Sequence, residues 1–434
     1  MTSDQAPVLW PFVAAPPLPA GGALIGWDLG SGGLFHADPA GWVVDEAVPV
    51  SNPNIFVFGQ PGLGKSATVK ALLLRMIDLG YQGLVLGDPK DEYGPLCRVL
   101  GVEPVQVGPG LPGRINPLDL DPAAAAGLDR AGWEATVARW TTLLGGLVGS
   151  LRRADHRVPF GPTENTVVSQ VLRELTGTAV GATCPAPVTL PQLWRGLADP
   201  SPALVRDCRY ASARDFLDQT RLLRDALGQL VSGSLAGLFD APSTVQLDPA
   251  APIQSLSLAR LAAAGDDAVG IALLCLGSWA SSQRGLPGAR PPRLVVRDEA
   301  WKQLRLGVDA VASLDADLRL SRSTGDLQVA VAHKPSDLLT AGDHGSQAAA
   351  IARDLLHLAG IRVLHGQDPA TADDLDRLLG LGPVARDLVT GWAGQGTGRA
   401  LWCLGDRHHQ VQTVLHPDER RLANTNNVLE RRLA

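Results

Sequence analysis

Four places in the 434-residue sequence hold residue types whose spacing could do chemistry. The first is Gly59-Gln60-Pro61-Gly62-Leu63-Gly64-Lys65-Ser66, which fits G-x-x-x-x-G-K-[ST] at every fixed position. Glycines let such a backbone curl until successive N–H groups face one point, and a helix starting at its end adds a positive dipole terminus, which suits a polyanion such as nucleotide phosphates. In that reading Lys65 meets the β- and γ-phosphates, Ser66 binds Mg²⁺, and Ala67 continues the helix start. The second place is Asp298-Glu299, two adjacent carboxylates at the end of the apolar run Arg293-Leu294-Val295-Val296-Arg297. Beside a phosphate cradle, Asp298 suits the Mg²⁺ shell and Glu299 suits polarising an attacking water. The third is His333, directly after Leu327 to Ala332. A polar side chain at a strand end can touch the γ-phosphate and report hydrolysis; a histidine satisfied by its surroundings is the alternative. Asp88 and Glu92, in Asp88-Pro89-Lys90-Asp91-Glu92-Tyr93, carry two readings as well. Either could help arrange water and Mg²⁺ near the nucleotide, or Asp88 could cap the turn that follows.

These residues need strands and helices to position them. Asn54 to Phe58 is a short β-favouring run before the glycine-rich loop, and Ala67 to Leu79 has helical apolar spacing after it. Gly83 to Gly87, Val105 to Val107, Thr244 to Leu247, Ile253 to Leu258, Arg293 to Arg297, Leu327 to Ala332 and Ile361 to Leu364 read as further strands. Ala23 to Trp27 and Gly33 to His36 read as an N-terminal hairpin, and Arg399 to Leu404 with Val411 to Leu415 as a C-terminal one around Gly405-Asp406. Between Asp121 and Leu238 strand signals vanish and helical periodicity takes over, with Trp133 and Trp140 as core aromatics. The expected organisation is therefore a Pro-rich lead and hairpin (1–50), the first part of an α/β core (51–120), an all-α insertion (121–240) and the second part of the core (241–434) with a charged tail.

The net charge of −6 argues against a surface saturated with phosphate-neutralising cations, so DNA contact is not indicated, although a local basic channel in an oligomer stays open. Five cysteines (Cys97, Cys184, Cys208, Cys275, Cys403) lack C-x-x-C spacing and read as reduced thiols of a cytoplasmic protein. The uncharged stretch from Gln5 to Trp27 is broken by prolines and reads as neither signal peptide nor membrane span. Of 38 basic residues only five are lysines, and four of those lie in or beside the motifs. Lysine then persists where a compact ammonium matters, or the pattern is coding bias.

Together GQPGLGKS, DPKDEY, INPLD, the helical insertion, VVRDEAW and AHKPSDL resemble the ATPase domain of the conjugative-transfer and pilus-assembly ATPases of type IV secretion systems, the VirB/TraC-like class of the FtsK/HerA superfamily. The resemblance runs from about Ala23 to about Thr425. It implies an α/β, RecA-like P-loop fold with a mostly parallel central sheet, ATP and Mg²⁺ as ligands, and homo-oligomeric, usually hexameric rings. It further implies partners among secretion-channel proteins, and a cytoplasmic position, peripheral to the inner face of the cell membrane. By position, Lys65 and Ser66 serve phosphate and Mg²⁺, Asp298 the Mg²⁺ shell and Glu299 the water. Arg322 looks like the arginine finger that reaches a neighbouring subunit's nucleotide, with Arg319 and Arg399 as alternatives. Two departures stand out. The family usually has Gln where His333 stands, with Gln328 too early in its strand to replace it easily, and the larger N-terminal domain is missing, so either contact with the secretion channel depends on a separate chain that supplies it or this chain has left the system. Two other functions stay open: a double-stranded DNA translocase of the FtsK/HerA kind, and a nucleotide-dependent assembly scaffold with little hydrolysis.

Overall fold

The computed structural model describes residues 18–121, 125–153, 156–180, 187–233, 235–283, 291–333 and 354–424. The Pro-rich lead through Pro17, Cys184, the Lys334-Pro335-Ser336-Asp337-Leu338 stretch and the tail beyond Asn424 lie outside them. In chain order the elements are β1 (Ala23–Asp28), β2 (Gly33–Ala37), α1 (Pro39–Val44), β3 (Ile55–Phe58), α2 (Lys65–Asp78), β4 (Gln82–Asp88), α3 (Gly94–Val99) and β5 (Val105–Gln106). A helical stretch follows with α4 (Arg130–Ser150), the two-residue strands β6 (Arg152–Arg153) and β7 (His156–Arg157), α5 (Pro162–Thr176), α6 (Leu190–Ala198), α7 (Pro202–Asp207), α8 (Ala213–Gln219) and α9 (Arg221–Ser232). The remainder is β8 (Ile253–Ser257), α10 (Asp266–Ser282), β9 (Arg293–Arg297), α11 (Ala300–Leu304), α12 (Val308–Thr324), β10 (Asp326–Ala332), β11 (Ile361–His365), α13 (Pro369–Leu379), α14 (Gly382–Thr390), β12 (Arg399–Leu404), β13 (Arg407–Thr413) and α15 (Pro417–Ala423).

The chain divides into two compact units, Met1–Tyr81 with Ala359–Ala434, and Gln82–Leu358. In the first the strands run β2-β1-β13-β12-β11-β3. Pairing is antiparallel from β2 to β11, where the two terminal hairpins extend the sheet, and parallel at β11–β3. Both hairpins stand where the turn residues predict them. β3 is buried along its whole length, which is why it reads as an unbroken apolar run rather than an alternating one.

In the second unit the order is β10-β9-β4-β8-β5, parallel throughout. The fold is thus α/β with mostly parallel pairing, as expected. Two arginines stand inside the fully buried β9, and each is matched by a carboxylate. Arg293 Nε and Nη2 grip Asp326 at 2.9 and 2.8 Å, across the register pair that starts β9 and β10. Arg297 Nη2 lies 2.5 Å from Asp317 of α12, and its Nε donates to Gln328 at 3.2 Å. Gln328 is therefore occupied below the strand end, in keeping with its early position.

α10 is buried nearly all round beyond its first two residues, consistent with the absence of charge from Ala268 to Ser282. It shares one core with the helical stretch, in which Trp133, Trp140 and Trp279 are buried. No helix among the described residues is long and apolar enough to cross a membrane.

Two expectations need correction. Among the described residues of 121–240 the elements are helices apart from the antiparallel pair β6–β7, whose two-residue strands are too short to leave a periodic signal. Thr244 to Leu247 joins no sheet: the Thr244 and Val245 amides both turn to the single carbonyl of Arg114, at 3.0 and 3.4 Å, and the Thr244 hydroxyl accepts the Arg114 N–H at 2.9 Å. Backbone groups satisfied by one residue need no ladder.

Candidate functional site

The glycine-rich loop leaves the buried end of β3 and enters α2. Gly59 is packed so tightly that a Cβ there would sit 2.5 Å from the Cβ of His365, and one on Gly64, at φ +95°, would meet the Gly398 amide nitrogen at 2.7 Å. Only glycine fits at either place. The rest of the loop is fixed from outside: the Gln60 N–H donates to the Gly366 carbonyl at 3.0 Å, and the Gly398 N–H to that of Leu63 at 3.0 Å. Gly62 and Pro61 are exposed, while Lys65 is buried.

Lys65 Nζ donates to the loop's own Gly59 and Gln60 carbonyls at 2.6 and 3.0 Å, so the ammonium is stored inside the curl. α2 has no side-chain cap, and no acidic residue stands in its first turn. Its first N–H groups point out of a 14-residue helix toward the loop, with Ser66 and Ala67 half-buried beside them. A curl closed to side chains at Gly59 and Gly64, a buried ammonium and an uncapped helix start fit nucleotide phosphates. Ser66 supplies a hydroxyl of the kind Mg²⁺ takes alongside phosphate oxygens.

Behind the loop, His365 is completely buried, with the backbones of Leu63 and Arg399 beside its ring. Burial, aided by the Lys65 charge, pushes its imidazole down to about 3, so it is neutral there.

In the second unit three parallel strands end on one edge, and their last residues converge. β9 delivers Asp298 and Glu299, β4 delivers Asp88, and β10 delivers His333. Asp298 is buried, and its carboxyl is pushed up to about 7 by burial first, then by the charges of Glu299, Glu92 and Asp88. The Tyr93 phenol beside it is wholly buried and is raised well above its ordinary value by that burial and by Asp298. A cluster of carboxylates that pushes one of its members up to about 7 is a place where a divalent cation relieves repulsion, which fits Asp298 as an Mg²⁺ ligand.

Glu299 has left-handed backbone, φ 61° and ψ 33°, just before α11. Its Oε1 accepts Lys90 Nζ at 2.6 Å, its Oε2 accepts the Trp301 indole N–H, and His333 Nε2 lies 3.4 Å from the same Oε2. Burial works to raise its pKa, but the His333, Lys90 and Trp301 donors outweigh it and hold the carboxyl well below the ordinary range.

Asp88 accepts the Lys90 N–H at 3.2 Å and the Tyr93 N–H at 2.8 Å, so it does cap the turn. His333 thus stands beside the carboxylate pair. Of the three arginines considered, Arg322 is exposed in the last turn of α12, with no ion-pair partner among the described residues. Arg319 is tied to Asp315 one turn away at 2.7 Å. Arg399 is half-buried, donating to Gln412 at 3.2 Å and resting over Trp392.

The sequence reading did not single out three participants. Lys90 and Trp301 hold Glu299, and His365 backs the loop; Lys90 and Trp301 lay inside DPKDEY and VVRDEAW, whereas His365 had no signal.

Fold and site together define a RecA-like P-loop protein. VirB4 of Thermoanaerobacter pseudethanolicus shares the fold at a TM-score of 0.70, with 20% identity, over 94% of this chain and 100% of that one. The bacterial conjugative coupling protein TrwBΔN70 in an unbound form follows at 0.58, with 14% identity, over 92% and 89% of the two chains. TrwB in complex with the non-hydrolysable GTP analogue GDPNP scores 0.54 at 14% identity, over 84% and 86%. No family model and no curated protein matches the sequence. The motif resemblance therefore has its counterpart in the fold.

Proposed function

We propose that the protein is an ATP-hydrolysing motor of type IV secretion or conjugative transfer, acting as a ring-forming homo-oligomer. The observation that supports it most is the fold likeness to VirB4 over 94% of this chain and 100% of that one, in a chain with its own phosphate cradle. Lys65 leaves the Gly59 and Gln60 carbonyls to meet the β- and γ-phosphates, and the uncapped start of α2 receives their charge. Ser66 in the first unit and Asp298 in the second are the groups that would offer oxygens to Mg²⁺, which when bound would neutralise charge that develops on the phosphate oxygens. Glu299 takes the proton of the attacking water, His333 keeps the Glu299 carboxylate oriented, and Arg322 of one subunit completes the site of the next.

A missing arginine finger costs about 10³–10⁵ in rate, so hydrolysis per protomer should climb with protein concentration as rings assemble. Phosphate release measured across that range tests the reading. Turnover that stays flat per protomer would count against the ring, and Glu299→Gln turning over like the parent would remove Glu299 from the chemistry.

A further inference from the structure

The Glu299 carboxylate is held in a way that a working base is not. Oε1 carries an ammonium at 2.6 Å, and Oε2 carries the Trp301 N–H with the His333 ring nitrogen at 3.4 Å; donors that stabilise the anion on both oxygens make it a weaker base toward water. Trp301 cannot swing away easily, because its ring is covered by the Arg305 guanidinium 4.4 Å from its centroid, with Lys302 Nζ at 5.4 Å. Lys90 is the member free to leave. Its side chain is 56% exposed against 7% for Glu299, while its backbone is pinned by Asp88. The buried end of the pair is the reacting carboxylate and the accessible end is the cation. Glu299 also sits in left-handed backbone, which costs a non-glycine residue free energy and persists only where its surroundings hold it.

We propose that Lys90 is a latch: its ammonium occupies the Glu299 carboxylate in the resting protein, and its withdrawal frees Oε1 for the water. The inference rests on the reading of Glu299 as the base. It makes Lys90 a positioning residue that restrains hydrolysis through Glu299.

Single-turnover ATP hydrolysis by the full chain, with Mg²⁺ present, tests it in four proteins. Lys90→Met is expected to raise the rate of the chemical step about tenfold or more at unchanged KM, since a charge-assisted hydrogen bond is lost from the resting state alone. Lys90→Arg, which keeps a cation at Oε1, is expected to stay near the parent rate. Lys90→Met combined with Glu299→Gln is expected to fall to the level of Glu299→Gln, because any gain must run through that carboxylate. A Lys90→Met rate equal to or below the parent, with Glu299→Gln inactive, overturns the latch and leaves the motor reading intact. A Glu299→Gln rate equal to the parent overturns both.

Discussion

Gly59 and His365 are in such close contact that any side chain at position 59 would have to displace the histidine: a Cβ would come within 2.5 Å of the His365 Cβ. His365 ends β11, the parallel neighbour of β3, so the strand that carries the loop and the strand that backs it are braced at one point. Gly59→Ala should therefore lower stability by about 1–3 kcal/mol, as overpacking does, and weaken nucleotide binding by more than that loss explains. Thermal unfolding with and without ATP and Mg²⁺ checks this; an unchanged nucleotide-dependent shift would contradict it.

The same histidine gives an acid sensitivity whose sign follows from its depressed pKa. The unfolded chain takes up the proton near the ordinary value of about 6.5, the folded one only near about 3. His365 thus leaves stability intact above pH 6.5 and drains it as pH falls toward 3, by about 1.4 kcal/mol per unit. Unfolding free energies from denaturant titrations at pH 7 and pH 5 should differ by about 2 kcal/mol more in the parent than in His365→Gln. Equal pH dependence in the two would mean that the buried imidazole is not the titrating group.

The glycine-rich loop was legible because its chemistry is local: the curl, Lys65 and Ser66 lie within eight consecutive residues. The same holds for Asp298-Glu299 at the end of a buried strand. What surrounds them was not, because Lys90 and Glu299 are 209 positions apart and meet only through the parallel order of β4 and β9. His365 left no trace, since nothing in Ile361 to His365 distinguishes a strand that backs a loop from any other buried strand. Thr244 to Leu247 was misread for a related reason: alternation reports a face, and a lone carbonyl on Arg114 satisfied the backbone in place of a neighbour strand.

Asp298 should behave in the opposite sense to His365. Its carboxyl is raised to about 7, so between about pH 4 and 7 the unfolded chain loses the proton that the folded one keeps, and stability falls as pH rises. Asp298→Asn removes that penalty and should raise the melting temperature at pH 8, by a free energy on the order of a few kcal/mol, while abolishing Mg²⁺-dependent turnover. A variant that is both less stable at pH 8 and still active would show that Asp298 is a structural carboxylate.

Arg297 stands one residue before this centre, and its removal should be felt in two ways. The guanidinium is 2% exposed and reaches Asp317 and Gln328 at 2.5 and 3.2 Å, so Arg297→Met strands a buried carboxylate. Breaking such a pair from one side costs about 3–5 kcal/mol, whereas replacing both partners by apolar groups is often nearly neutral. Arg297→Met should therefore unfold at markedly lower denaturant, and Arg297→Met with Asp317→Leu should recover most of the loss. Recovered stability need not bring recovered catalysis, because the pair also fixes the end of β9 from which Asp298 and Glu299 project. We expect the double variant to bind nucleotide like the parent but to turn it over more slowly. Full recovery of both would make the pair a packing feature alone, and no recovery of stability would show that Arg297 acts through Gln328 rather than Asp317.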